Sequence, residues 1–391
     1  MDHLAILNRI AVPRTNYSEV VDQTARMIQE ILSSWGVPFA VQEFTLRPYM
    51  SPLIGLSCLI LAVLFFLCIW KKKPVPALII ALAIPTVLIV EFEMFIPLVS
   101  SLIQKTGHNV IVNFTVPNAA RELFFCAHYD SKTDFWDHIQ RGLIYRWIPV
   151  ALVLALILPW WLLLVKKFKA LDRSLYRAIA LISAGALVIF WGLVALGFGG
   201  FLFLSKESPG AVDNATSVVT LLNLSKDIRE GKVRLGNSNV TILFTGGEEV
   251  GLQGADRYVQ DRFLGKSGTK TLPAYVVNLE LVAQNGNMFY GKKDGIFVKY
   301  YTCDTALVER LNKACKTVSG SEMGTLDRLT SDGQRFMVAG IPTVTIGHSG
   351  LPGLGFAGFH SENDNMARVN LDNLKRMVKT LETYIEGYEK D

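Results

Sequence analysis

The sequence predicts a layered α/β domain interrupted twice by helical membrane hairpins. Three observations carry this. Four long uncharged apolar runs punctuate the first half, apolar strands alternate with amphipathic helices elsewhere, and imidazole and carboxylate residues gather at the predicted strand ends. Half of the 391 residues are hydrophobic, and the net charge is only +5. That balance, with no basic stripe, gives no nucleic-acid signature.

The apolar runs are "SPLIGLSCLILAVLFFLCIW" (51–70), "PVPALIIALAIPTVLIV" (74–90), "WIPVALVLALILPWWLLLV" (147–165) and "AIALISAGALVIFWGLVALGFGGFLFL" (178–204). As helices, each is about long enough to cross a hydrocarbon layer of roughly 30 Å, the second only just. Buried core helices are the rival reading, but four such runs in one chain argue against it. "KKK" (71–73) and "KKFKALDRSLYR" (166–177) join the runs in pairs. Short Lys/Arg-rich connections favour the cytoplasm. The expected protein is therefore multi-pass, in the plasma membrane, with the remaining domain and both termini extracytoplasmic. No cleavable signal is read in residues 1–50. Glu91 and Glu93, at the end of the second run, read as solvated headgroup-level carboxylates. "MFIPLVSSLI" (94–103) either extends that helix or lies along the surface.

Residues 1–50, 105–145 and 205–391 then form one domain, with hairpins inserted at 51–104 and 146–204. Strands are expected at 109–116, 122–128, 239–246, 274–282 and 341–348, and helices at 17–34, 211–230, 250–263, 303–317, 332–339 and 370–388. Such interleaving predicts a layered domain with a largely buried sheet. The five cysteines have no CxxC spacing and read as small hydrophobes.

Five motifs carry the chemistry: "AHYDS" (127–131), "GAVDNAT" (210–216), "GGEEVGLQG" (246–254), "NLELV" (278–282) and "GFHSENDN" (358–365). Ligands of open α/β sheets gather at strand carboxyl ends. His128 and Asp130 follow an apolar strand and point the same way, so Asp130 can accept the second ring N–H of a metal-bound His128. Taken singly, each motif has an ordinary reading as a structural His–Asp pair, a cap or a solvated glutamate pair. Together they supply two imidazoles and several carboxylates without a thiolate, which suits zinc or another first-row divalent ion.

Those motifs resemble the co-catalytic zinc exopeptidases that include bacterial leucyl aminopeptidase, aminopeptidase Y and glutamate carboxypeptidase II. Glutaminyl cyclase and the transferrin receptor are divergent relatives. The resemblance spans roughly 1–50, 105–135 and 206–391, and implies a three-layer α/β/α domain with a mixed central sheet. It further implies two zinc ions bridged by Asp213. His128 and Glu280 would bind one ion, and Glu249 and His360 the other. Glu248 would be the general base, and Asp130 would orient His128. Three departures stand out: Glu280 replaces the usual Asp, Phe359 replaces a Tyr found in some relatives, and Gly333 replaces a His in "SDGQRF". His348, in "IGHSG", rivals His360 as a ligand.

The expected activity is that of an aminopeptidase acting on peptide or protein N-termini beside the lipid bilayer. A one-zinc glutaminyl-cyclase-like transferase is the alternative within enzymes. An inactive receptor or scaffold is the alternative outside them. Oligomeric state is not readable from the sequence.

Overall fold

A computed structural model of the chain describes residues 3–167, 173–199, 206–265, 272–350 and 356–388. Part of the basic 166–177 connection and the last residues of the 178–204 run lie outside them. The chain opens with α1 (His3–Ile10), α2 (Val20–Ser34) and strand β1 (Phe39–Leu46), then enters two apolar helices, α3 (Met50–Trp70) and α4 (Pro74–Leu88). It returns for β2 (Lys105–Phe114) and β3 (Arg121–His128), and leaves again through α5 (His138–Tyr145), α6 (Ile148–Lys167) and α7 (Arg173–Gly199). The remainder runs α8 (Thr216–Arg229), β4 (Ser238–Thr245), α9 (Gln253–Val259), β5 (Ala274–Leu279), β6 (Met288–Gly291), β7 (Lys293–Gly295) and β8 (Tyr300–Thr302). It ends with α10 (Thr305–Ser319), β9 (Gly324–Leu326), α11 (Gly333–Val338), β10 (Thr343–His348) and α12 (Leu371–Tyr388). The chain divides into two compact units, one of 1–48, 104–132 and 206–391 and the other of 49–103 and 133–205.

In the first unit a mixed sheet runs β1-β2-β4-β3-β5-β10-β6-β9. β4, β3, β5 and β10 are mutually parallel, while β1, β2 and β6 run antiparallel to their inner neighbours. Alternation along β3 divides the core. Leu123, Phe125 and Ala127 join the apolar faces of α1, α2, α8, α10 and α12, whereas Phe124 and Cys126 meet Ala255, Tyr258 and Val259 of α9 and Phe336 of α11. The result is three layers, α/β/α. Because β4 and β5 flank β3 on opposite sides, the strand order switches there, which opens a crevice at the carboxyl ends of the three strands. The sheet is wider than the five expected strands. β1 is an edge strand with a mostly uncovered, mixed sequence, and β6 and β9 are four and three residues long, too short for alternation to register; β7 and β8 pair in a separate two-stranded sheet.

In the second unit α3, α4, α6 and α7 pack through Ala77, Ala81, Ala151, Ala155, Ala180 and Ala184, with Phe65, Ile69, Leu158 and Leu187 between them. Small residues at such contacts let helix backbones approach closely. Only 28% or 33% of each long apolar window is buried inside the chain, so these are not core helices. Glu91 departs from expectation. It is buried rather than solvated, and its carboxylate accepts the N–H groups of Leu98, Val99 and Ser100 and the Ser100 hydroxyl.

Candidate metal centre

Four of the chemical side chains sit where strands of the parallel core end. His128 closes β3, Glu248 and Glu249 follow β4 in a tight turn, and Glu280 follows β5. The turn depends on Gly247, whose φ is 73° and whose added Cβ would fall 2.6 Å from Leu46 Cδ1. Gly347 on β10 lies so close to the carbonyl of Glu280 that any side chain there would collide with it. Asp213 lies on an irregular turn ahead of α8, at φ −110° and ψ 85°, and a cis peptide joins it to Asn214. His360 adopts φ 61°, uncommon for a residue with a side chain.

These elements converge. His128 Nε2 is 3.3 Å from Asp213 Oδ1, 3.4 Å from Glu280 Oε2 and 4.0 Å from Glu248 Oε2. His360 Nε2 is 3.4 Å from Asp213 Oδ2 and 3.2 Å from Glu249 Oε1. The two oxygens of Asp213 thus face two separate imidazole–carboxylate sets. Ligands about 2.0–2.2 Å from a tetrahedral zinc stand roughly 3.3–3.6 Å from one another. The separations around both imidazoles match that span. One Glu280 oxygen, Oε1, is buried with no hydrogen-bond partner among the described residues, which leaves an acceptor for a cation.

Electrostatics point the same way. Burial, aided by repulsion from Glu249 and Glu280, pushes the Glu248 carboxyl well above its ordinary range. Burial likewise pushes Glu280 up to about 8. Asp213 is held low, because hydrogen bonds from His128 and His360 outweigh its burial. Burial alone would lower the His128 imidazole, but Glu280 and Glu248, with bonds to Asp130 and Asp213, hold it well above its usual value. Acids this crowded must either hold protons or share a cation.

Asp130 is fully buried beneath the site. Its carboxylate accepts the backbone N–H groups of Glu248 (3.2 Å) and Glu249 (3.1 Å) and the Asn16 amide (2.5 Å). Its Oδ1 lies 3.5 Å from His128 Nδ1, and its backbone oxygen lies 3.1 Å away. His348 stands apart. Its Nδ1 accepts the Ala283 N–H at 3.2 Å, and burial, with Arg376, pushes its pKa down to about 3. Phe359 is packed against Val212 and Leu281, with Arg368 over its ring.

Two residues at the site were not singled out from the sequence. Arg14 is fully buried and donates to the carbonyls of Tyr129 (2.5 Å), Pro209 (2.6 Å) and Gly210 (2.8 Å). Asp364 accepts the N–H groups of Val212 (2.9 Å) and Asp213 (3.0 Å). Together they grip the 209–213 turn from both sides. Asp364 sits inside the "GFHSENDN" motif, but nothing in "AVPRTN" marks Arg14.

Residues 197–385 match the sequence model of Peptidase family M28. No curated protein matches the chain. Among solved structures, the fold is similar to a leucine aminopeptidase precursor from Bacteroides thetaiotaomicron VPI-5482, with TM-score 0.54 and 14% identity over 98% of this chain and 94% of that one. A glutaminyl cyclase from Bacteroides thetaiotaomicron, bound to N-acetylhistamine, gives TM-score 0.55 and 14% identity over 98% and 95%. An aminopeptidase from Aneurinibacillus sp. strain AM-1 gives TM-score 0.55 and 14% identity over 98% and 93%.

Proposed function

Because residues 197–385 match the model of Peptidase family M28, we propose a membrane-anchored zinc metallopeptidase, an aminopeptidase that removes N-terminal residues from peptides or membrane-associated proteins. The observation that carries this reading is Asp213, whose two oxygens stand 3.3 Å and 3.4 Å from the imidazoles of His128 and His360. One ion would be held by His128, Asp213 and Glu280, and the other by His360, Asp213 and Glu249. When bound, zinc supplies a Lewis acid for the scissile carbonyl and acidifies an attacking water.

The chain's own residues would do the rest. Glu248 ligates neither ion in this arrangement, so its carboxylate is available to take the water proton and deliver it to the leaving amine. Asp130 would fix the His128 ring so that Nε2 faces the ion. Glu280 is one methylene longer than the usual Asp, yet its Oε2 still reaches 3.4 Å from His128 Nε2. Phe359 offers no hydroxyl for the developing oxyanion, so that charge falls to the ions or another donor. α3, α4 and the α5–α6 and α7 segments would cross the bilayer. The Lys/Arg-rich hairpin tips would lie on the cytoplasmic side and the peptidase domain on the opposite side.

A second reading is favoured by one contact. The Asn214 amide donates to Glu280 Oε2 at 3.1 Å, competing for the oxygen that faces His128. Weakening that ligand would leave a one-zinc site and a glutaminyl-cyclase-like transferase. A receptor with an inactive domain is disfavoured, because His128, Asp213, Glu248, Glu249 and His360 are all present. The deciding experiment offers the purified chain amino-acid amides, N-blocked peptides and N-terminal Gln peptides, with and without chelator. Chelator-sensitive release from amides and free N-termini supports the aminopeptidase. Ammonia release from Gln peptides alone would replace it with the transferase.

A further inference from the structure

Between the end of α4 and β2, the segment Met94–Ile103 carries an exposed apolar series. Met94, Ile96, Leu98, Leu102 and Ile103 are all exposed, Leu102 to 73%. Apart from one short turn at Ser100–Leu102 the segment is not helical. Irregular backbone is excluded from hydrocarbon and costly near it unless its N–H groups are satisfied within the protein. Here they are. Glu91, 1% exposed, takes the N–H groups of Leu98 (2.8 Å), Val99 (2.5 Å) and Ser100 (3.0 Å) on Oε1, and the Ser100 hydroxyl (2.6 Å) on Oε2. One buried carboxylate therefore folds an apolar loop back on itself and satisfies three of its N–H groups and one hydroxyl.

Ring contacts fix the level of this loop within its own unit. Phe92, beside Glu91, stacks on Phe198 near the end of α7 at 5.9 Å, and Phe198 packs on Tyr145 just before α6 at 5.2 Å. The ends of α4 and α7 and the start of α6 thus share one plane. That plane also carries Trp147, 53% exposed, with the Arg146 guanidinium 5.6 Å over its ring. Exposed indole beside guanidinium is the composition of a membrane–water boundary.

We propose that Met94–Ile103 is a lipid-contacting foot, lying at the headgroup–acyl boundary and held in shape by Glu91. The occupant is the bilayer itself, because the loop's apolar surface continues that of α4, on which Ile79 and Leu82 are exposed, and of Ile89 just beyond it. The inference rests on the reading of α3, α4, α6 and α7 as membrane spans. Unlike a span, the foot lies along the boundary and adds apolar area there.

Spin labels test both statements separately. Leu102→Cys, Ile60→Cys in mid-span and Lys316→Cys on the peptidase domain are each labelled in a Cys68→Ser background, which removes the native cysteine that is not buried. The full chain is placed in phosphatidylcholine–phosphatidylglycerol vesicles, and collisions with oxygen and with a water-soluble nickel chelate are compared. The expected oxygen-to-nickel ratio is highest at 60, intermediate at 102 and lowest at 316. A label at 102 as nickel-accessible as that at 316, while 60 stays deep, overturns the foot. A label at 60 that is also in water overturns the span reading beneath it. Glu91→Ala should shift the 102 label toward water, whereas Glu91→Gln, which keeps an oxygen for the three N–H groups, should not. An unchanged depth in Glu91→Ala overturns the clamp.

Discussion

Glu248 and Glu249 are sequence neighbours with opposite assignments, and the difference lies in what each oxygen faces. Glu249 Oε1 stands 3.2 Å from His360 Nε2, at ligand spacing, while the nearest imidazole nitrogen to Glu248 is 4.0 Å away. Removing the Glu248 charge should therefore cost catalysis without costing metal. Glu248→Gln is expected to lower kcat by about 10²–10⁴-fold, the range for a lost general base, with zinc content by mass spectrometry unchanged. Zinc lost from this variant would make Glu248 a ligand. Asp364 makes the complementary case. It holds the Asp213 turn through two N–H groups and is assigned no metal. Asp364→Asn keeps one oxygen for them and should weaken zinc retention only modestly, whereas Asp364→Ala should lower zinc affinity about 10- to 100-fold, as loss of an outer-shell partner does. Chelator competition reads this without substrate. Equal affinities in both variants and the parent would remove Asp364 from that role. Of the proposed ligands and base, His128, Glu248, Glu249 and Glu280 stand out in the sequence because each closes or follows an apolar strand, while Asp213 and His360 are marked only by their motifs. Arg14 and Asp364 work through backbone carbonyls and amides up to 196 residues away, and pattern along the chain does not register such bonds.

At the scale of elements, β10 delivers His348 to the same end of the sheet as the metal cluster, yet uses it differently. Its ring is neutral and buried, with Nδ1 taken by the Ala283 N–H. An unfolded imidazole gains its proton near 6.5, the folded one only near 3. Between those values the unfolded chain binds the extra proton. The His348 contribution is therefore complete above about pH 6.5 and lost as pH falls toward 3, with a limiting slope of ~1.4 kcal/mol per pH unit. Melting temperatures from pH 7 to 4 should fall less steeply in His348→Gln than in the parent. Parallel curves would show that the imidazole is not the acid-sensitive group. The inner strands β3 and β4 were legible because both faces are covered and each holds an apolar run, Leu123–Ala127 and Ile242–Phe244. β1 was not, because an edge strand with one mostly open face carries no such run. Glu91 was misjudged for a related reason: the sequence shows a carboxylate at a span's end but not the three amides that fold back onto it.

For the molecule as a whole, the chain passes four times between an α/β unit and a second, apolar unit. The alternation of strands and helices and the four apolar runs were both visible in the sequence, because each is a local pattern repeated over many residues. The convergence of His128, Asp213, Glu280, Glu249 and His360 depends instead on strand order. It follows from the switch at β3, which places β4 and β5 on either side. If the proposed anchoring selects substrates, peptides presented on vesicles should be trimmed faster than the same peptides free in solution. Equal rates would leave the spans as an anchor with no role in selection. The proposed site stands or falls with a pair of cations shared by Asp213, and zinc stoichiometry reads that pair. Full-length protein, purified without chelator and analysed by mass spectrometry, should carry two zinc ions per chain and lose both in Asp213→Ala. Less than about one zinc per chain in the parent, or metal undiminished in Asp213→Ala, would contradict it.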